Sequence, residues 1–392
     1  MKRNYAFGLY SLLHGSLWAV YGVLLTYANR YLLNVGLNNM EVGILLGLAT
    51  AMSFVLQPVL TALTDNRRMS VRGVICLCAL VMFLTTAALL LPTKALWATV
   101  ALFAVACVAL QILPAFCNAL GMAGIRSGLK LNFGISRGIG SVTFAIAARL
   151  TNLAIEQWGL NFVPLLSACL TLLLLPAALF FPRPKAEEAV KEKEETSSAW
   201  EFLRSDLRFL VLLVAVVLLC TSHNMLTNCM FQIAEYKGDA DAQGTAVMIS
   251  ALVELPTMFF FGFMLRKARC DTWLKVSGVF FFLRAGLSLV LPGIGGLYAA
   301  QTVQIFGFAL YTVSSVYYVG STVSKANVVK GQTYLGAACT VGTLAAHFGA
   351  GAAIDAWGVK VMLLLAISLA ALGSIMLFFC ARRVEKTVGA TK

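Results

Sequence analysis

"PRPKAEEAVKEKEETSSAWEFLRS", residues 182–205, is the longest polar stretch in a chain of 392 residues. Its Glu, Lys and Ser content leaves too little apolar surface to pay for ordering, so it reads as a solvated linker with a short helical piece. What flanks it decides the fold. Six apolar segments precede it, at 5–29, 40–63, 73–92, 95–124, 133–155 and 160–181. Six follow it, at 207–235, 243–265, 273–292, 296–323, 331–353 and 358–381. Each is close to or above the roughly 20 residues needed to cross a hydrocarbon core as a helix. The expected fold is an all-α membrane protein with twelve transmembrane helices in two pseudo-symmetric six-helix bundles. Residues 1–181 form the N-terminal bundle, 182–206 a cytoplasmic linker, and 207–392 the C-terminal bundle with a short cytoplasmic tail. The loops after spans two and eight, "TALTDNRRMSVR" (61–72) and "FGFMLRKARCDTW" (261–273), are short, charged and at matching places, which suggests an internal repeat.

Composition supports this reading. The chain is 60% hydrophobic and 12% charged, with mean hydropathy +0.84. A soluble domain is about half apolar and a quarter charged, so an ordinary soluble enzyme, a disordered chain and a secreted disulfide scaffold are excluded. Thirty Lys+Arg against seventeen Asp+Glu give a net charge of +13. Most of these basic residues lie between the apolar runs, which is the pattern of membrane topology and not of nucleic-acid binding. With the N-terminus inside, Lys2, Arg3, Arg67, Arg68, Arg72, Arg126, Lys130, Arg137, the basic residues of 183–208, Arg266, Lys267, Arg269, Lys275, Lys325, Lys330, Arg382, Arg383, Lys386 and Lys392 fall in the cytoplasm. Arg30, Lys94, Arg149, Lys237 and Lys360 fall outside. Both termini are then cytoplasmic, and the expected location is a cell (inner or plasma) membrane. The first apolar run lacks a clear small-residue cleavage site and reads as a retained helix. Pro58, Pro114, Pro164 and Pro256 fall inside spans, where they can mark kinks.

The ten cysteines are scattered, with no CxxC, and Cys76 and Cys78 have the wrong spacing for zinc. They read as small packing residues. No cofactor or metal is expected. There is no Walker A, HExxH or GxSxG sequence, so ATP-driven transport and the common hydrolase chemistries are not expected either.

An ionisable side chain in the hydrocarbon core is costly and therefore a functional candidate. Glu254 lies near the middle of span eight and Arg284 in the middle of span nine. Glu254 can bind and release a proton or accept hydrogen bonds from solute hydroxyls; the competing reading is a static pair with Arg284. Arginine stays protonated and cannot itself be the carrier. Arg137, near the inner end of span five, serves either solute or a cytoplasmic gate. In span seven Asn224, Asn228 and Gln232 are spaced i, i+4, i+8, flanked by His223. Amides on one helix face suit an uncharged polyol or base, or else hydrogen bonding between helices. Span one places Tyr10, His14, Trp18 and Tyr21 on one face, able to stack against a sugar or heterocycle, or simply to pack. Gln304 in span ten, with Gln301 and Tyr311, and Asn118, Gln57 and Gln111 are further lining candidates, and His347 is read as a hydrogen-bonded packing residue. Asp65 with Arg67, Arg68 and Arg72 reads as a latch biasing two access states, or as a topology-setting loop.

Three stretches carry a family resemblance: "NFGISRGIGSVTFAIAA" (132–148), "SALVELPTMFFFGFMLRK" (250–267) and "FFFLRAGLS" (280–288). They resemble spans five, eight and nine of the major facilitator superfamily, in the branch holding lactose permease and phenylpropionate permease-like symporters. The resemblance implies a secondary transporter and places Arg137, Glu254 and Arg284 at that branch's functional arginine, substrate carboxylate and membrane-embedded arginine. Departures accompany it. Ala119, beside Asn118, stands where the branch has an acidic residue in span four. Gln304 and Gly307 stand at its span-ten His and Glu, and neither carries a proton at physiological pH.

The expected activity is symport of a small polar organic solute, a sugar or oligosaccharide, nucleoside or aromatic acid, with a proton carried by Glu254. The site is expected near the midplane between the halves. The partners are then solute, coupling proton and lipid bilayer, with no nucleic acid, and the chain is a monomer. Two alternatives remain: a proton-driven exporter of lipophilic compounds, and an uncoupled facilitator or sensor that has lost the relay.

Overall fold

The computed structural model describes residues 2–66, 68–91, 95–182, 206–324 and 327–384. Most of the proposed linker, and Arg67, lie outside the described residues. The helices are α1 (Lys2–Val20), α2 (Ala28–Val35), α3 (Asn39–Asp65), α4 (Val71–Ala88), α5 (Leu96–Arg126), α6 (Phe133–Trp158), α7 (Phe162–Leu179), α8 (Leu207–Asn228), α9 (Met230–Tyr236), α10 (Gln243–Lys267), α11 (Cys270–Val290), α12 (Gly293–Thr302), α13 (Phe308–Thr322) and α14 (Val328–Cys380). Among the described residues eleven helical stretches are long and apolar enough to cross a membrane. The last of them contains two spans. Its 53 residues would reach about 80 Å if straight, far more than the roughly 30 Å hydrocarbon core. Gly358 breaks it at φ 83°, ψ 170°, a left-handed conformation that favours glycine. Among the described residues the count is therefore twelve spans.

Many large apolar side chains are exposed, while some polar ones are buried within an otherwise apolar core. Phe259, Phe260 and Phe379 are exposed, whereas Arg284, Gln301, His14 and Ser277 are buried. That pattern is stable only where lipid, not water, covers the outer face.

Three spans are not regular helices. Span one passes through a π-helical turn, Tyr21–Leu25, before continuing as α2. Span seven is interrupted at Cys229, between α8 and α9. Span ten tightens into a 3₁₀ turn, Val303–Phe306, between α12 and α13. None of these coincides with the prolines expected to mark kinks. Pro58, Pro114 and Pro256 lie within the continuous helices α3, α5 and α10. Pro164 is the third residue of α7, where its missing N–H would have no helical partner anyway.

Side chains close the helix ends. Asn38 and Glu41 form a reciprocal capping box at the start of α3. Arg72 Nη1 donates to the carbonyls of Leu179 (3.1 Å) and Phe181 (3.3 Å) at the end of α7. Lys237 Nζ donates to those of Leu289 (3.0 Å) and Leu291 (2.6 Å) at the end of α11. A cation there complements the helix dipole, while burial pulls the pKa of Lys237 below that of an ordinary lysine. Arg382 Nη2 meets Asp206 Oδ1 at 2.8 Å, and the Val384 N–H donates to Asp271 Oδ1 at 3.3 Å. The end of the linker, the loop after span eight and the tail therefore share one face, as an even number of spans requires.

The chain divides into two compact units. One is Met1–Ala189 with Gln243–Ala251, and the other is Val190–Ala242 with Leu252–Lys392. In the second unit α14 packs closely on α8 at Gly342. A Cβ there would lie 2.7 Å from the Val217 carbonyl oxygen and 2.8 Å from Cys220 Cβ. One turn earlier, Cys339 Sγ comes within 2.8 Å of Cys220 Sγ and 3.3 Å of the Tyr311 hydroxyl. These two cysteines are adjacent in space, which corrects the reading of all ten as scattered. Gly342→Leu should destabilise the protein by about 1–3 kcal/mol through overpacking. Gly349→Leu, on the same helix with open space at its Cβ, should be tolerated. Thermal unfolding of the purified protein in detergent compares the two.

Candidate functional site

The second unit holds a chain of polar side chains around the break in span ten. Gln304 lies in the 3₁₀ turn and is buried. Its Nε2 donates to Glu254 Oε1 at 2.8 Å and lies 3.5 Å from His223 Nδ1. Arg284 Nη1 lies 3.0 Å from the same Nδ1. The guanidinium also grips Gln301 Oε1 through Nε (3.2 Å) and Nη2 (2.7 Å). Arg284 thus meets two neutral acceptors, which spread hydrogen bonds over a buried charge that would otherwise be expensive. The His223 ring stacks on Phe308 at 4.2 Å and 7°, and meets Phe281 edge-on at 5.9 Å. One turn along α8, Asn228 Nδ2 lies 3.4 Å from His347 Nδ1.

The same neighbourhood repairs the broken helix. Thr257, one turn after Glu254 on α10, donates through Oγ1 to the Ile305 carbonyl at 2.5 Å. Glu254 and Thr257 thus engage adjacent residues of the 3₁₀ turn, one by its side chain and the other by its backbone. Thr257, Phe308 and Phe281 are missing from the sequence reading. The i, i+3 spacing from Glu254 to Thr257 was available, but the break it serves was not.

The first unit holds a second cluster. The Arg137 guanidinium lies over the Trp18 ring at 4.0 Å, and its Nη1 donates to Ser141 Oγ at 3.0 Å. Trp18 packs on Tyr21 at 4.9 Å and 33°. Gly140 permits this, because a Cβ there would lie 2.5 Å from the Trp18 ring. Tyr10 and His14 were expected on the same face but belong to the packed interior. Tyr10 is buried against Phe181 and Phe133, and His14 meets Tyr10 edge-on at 4.7 Å. Neither ring nitrogen of His14 has a hydrogen-bond partner, and neither does Trp18 Nε1.

Other candidates sit elsewhere. Asn118 is exposed on α5. Asn224 turns back on its own helix, donating to the Cys220 carbonyl at 2.8 Å. The interruption at Cys229 separates Gln232 from the Asn224–Asn228 face. Asp65 ends α3 and is exposed, as is Arg68, while Arg72 is committed to the end of α7. Among the described residues no group of three or more His, Cys, Asp or Glu side chains could hold a metal ion.

The model of the MFS_1 like family matches residues 10–364. The chain belongs to the major facilitator superfamily. Its fold is similar to that of the nucleoside transporter NupG, with TM-score 0.79 at 15% identity over 96% of this chain and 98% of that one. It is also similar to an auto-inhibited POT family peptide transporter, at 0.74 and 10% over 99% of each chain. A bacterial homologue of the human lysosomal transporter Spinster gives 0.66 and 12%, over 97% and 95%. At these identities the likeness is one of fold. No curated protein matches the sequence. This superfamily member is a multi-pass membrane transporter of the secondary, small-solute type and not an enzyme.

The repair at Ile305 has a measurable weight. Thr257→Val leaves a carbonyl without its donor and should cost about 1–3 kcal/mol, whereas Thr257→Ser keeps the hydroxyl and most of the stability. Thermal unfolding in detergent separates the pair.

Proposed function

We propose that this transporter is a proton-coupled symporter of a small polar organic solute and works by alternating access, with Glu254 as the proton-binding and solute-binding carboxylate. The observation that carries the reading is the Glu254–Gln304 hydrogen bond at the broken turn of span ten. Transporter sites are built where helices are discontinuous, because freed backbone groups and buried polar side chains are tolerated there. A carboxylate in a membrane span costs about 2.5–3.5 kcal/mol on insertion scales, and such groups mark ion and substrate pathways.

The two clusters, taken separately, suggest the solute class. The second unit offers amide, carboxylate and imidazole groups to hydroxyls and carbonyls. The first offers an indole and a phenol beside a guanidinium, a surface suited to a flat ring. A flat ring suits the first cluster and hydroxyls suit the second, and NupG, a nucleoside transporter, shares the fold. Nucleosides therefore head the panel, with glycosides and aromatic acids after them. Arg137 and the Asp65–Arg68 loop are assigned to solute contact and gating respectively. A cell membrane location with cytoplasmic termini, and a monomeric state, complete the proposal.

One observation favours a second reading. The partner of Glu254 in span ten is an amide, which does not titrate. An uncoupled facilitator would need nothing more. The two readings part at Glu254→Gln. In liposomes, symport predicts that this variant loses gradient-driven accumulation at least about tenfold, while solute exchange across the membrane persists. Accumulation at the wild-type level would remove Glu254 as carrier.

A further inference from the structure

His223 lies at the centre of the second-unit cluster, and its Nδ1 faces two donors. Arg284 Nη1 is at 3.0 Å and Gln304 Nε2 at 3.5 Å. An arginine has no acceptor and does not lose its proton in proteins. The Nδ1 atom must therefore present a bare lone pair, and the ring proton must be on Nε2. This tautomer follows from donor chemistry, not from a choice made in placing hydrogens. The ring has little freedom to exchange its nitrogens, since it is stacked flat on Phe308 at 4.2 Å.

We propose that His223 is the positioning residue for Arg284, and that a proton and the Arg284 guanidinium compete for one lone pair, Nδ1 of His223. The inference rests on the reading of this cluster as the transport site only for its functional consequence; the competition itself does not. When a proton binds Nδ1, an N–H bond forms there, and both contacts to that lone pair are lost, the Arg284 Nη1–H···Nδ1 hydrogen bond and the approach of Gln304 Nε2. The acceptor becomes a donor facing two donors, so Arg284 and Gln304 must both turn away. Gln304 is also the donor to Glu254, so the proton on His223 disturbs the hydrogen bond of the carboxylate. Two titratable groups from spans seven and eight are thereby linked through Gln304 of span ten, which does not itself titrate. The groups that face His223 are Arg284 and Phe281 from α11, Gln304 from the broken turn with Glu254 of α10 behind it, and Phe308 from α13. Next along α8, Asn228 meets His347 of α14.

The test uses the full-length protein labelled with ¹⁵N-histidine and ¹⁵N-arginine in lipid nanodiscs, with His223→Asn to assign the signal. At about pH 8, above the ordinary histidine range, His223 should show a protonated Nε2 and an accepting, unprotonated Nδ1. On acidification the Arg284 guanidinium signals should move at the same pH as the His223 ring nitrogens. In His223→Asn, whose Oδ1 replaces Nδ1 as an acceptor, the Arg284 signals should stay near their neutral-state positions and cease to respond to pH. In His223→Leu they should be displaced at every pH. A proton on Nδ1 or a cationic His223 at about pH 8 would overturn the proposal in the wild type alone. So would Arg284 signals that stay still while His223 takes its proton. No solute is needed, so a failure of symport and a failure of this inference are separate results.

Discussion

Hydrocarbon offers no hydrogen bonds, so every backbone N–H and C=O of a span must find its partner within the protein. The rest of this structure depends on that constraint. It explains why the described spans are helical, and why two of the departures from regular helix sit beside a side chain that serves the backbone. The Ile305 carbonyl in span ten takes the Thr257 hydroxyl. At the end of the π-helical turn of span one, the Thr26 carbonyl takes Gln243 Nε2 at 2.6 Å. The ends of α7 and α11 take Arg72 and Lys237. Irregular backbone in spans one and ten thus lies where polar side chains serve it.

The reverse dependence makes those places chemical. A helix break that needs donors brings polar residues together, and once together they can hold a charge. Arg284 is buried in the second unit because Gln301 and His223 accept from it. Glu254 reaches the same network through Gln304. In the first unit the guanidinium of Arg137 is met by the face of Trp18 and the hydroxyl of Ser141. The two arginines are held by different means, one by directional acceptors and one partly by a π-system, which is more tolerant of displacement. The second unit is therefore the more exacting in geometry, and it contains the carboxylate.

Much of the architecture was legible in the sequence because hydropathy over about 20 residues is a strong signal. The twelve segments coincide with the observed spans to within a few residues, save where span one runs on to Val35, span seven ends in two pieces and spans eleven and twelve meet at Gly358. The breaks were not legible. Neither "YGVLL" (21–25) nor "VQIF" (303–306) contains proline, and a π turn or a 3₁₀ turn leaves no mark in hydropathy. The same limit governed the site. Glu254, Arg284, His223 and Gln304 stood out singly because polar residues in lipid are costly, but that all four join Gln301 in one network depends on helix rotation. Periodicity misled in span one: one regular helix face was assumed for Tyr10, His14, Trp18 and Tyr21, whereas the structure packs Tyr10 and His14 inward and leaves Trp18 and Tyr21 beside Arg137. The approach of Cys339 to Cys220 had no sequence signal beyond the small residue Gly342 one turn away.

The central proposal is that the Glu254 cluster couples a polar solute to a proton. The most direct measurement encloses a pH-sensitive dye in liposomes bearing the wild-type protein and adds nucleosides, glycosides and aromatic acids in turn outside. The account predicts that a solute of this panel acidifies the lumen as it enters, and that collapsing the proton gradient with an ionophore removes its accumulation. Entry of a labelled solute with no acidification would contradict proton coupling and leave the cluster as a binding site without a carrier.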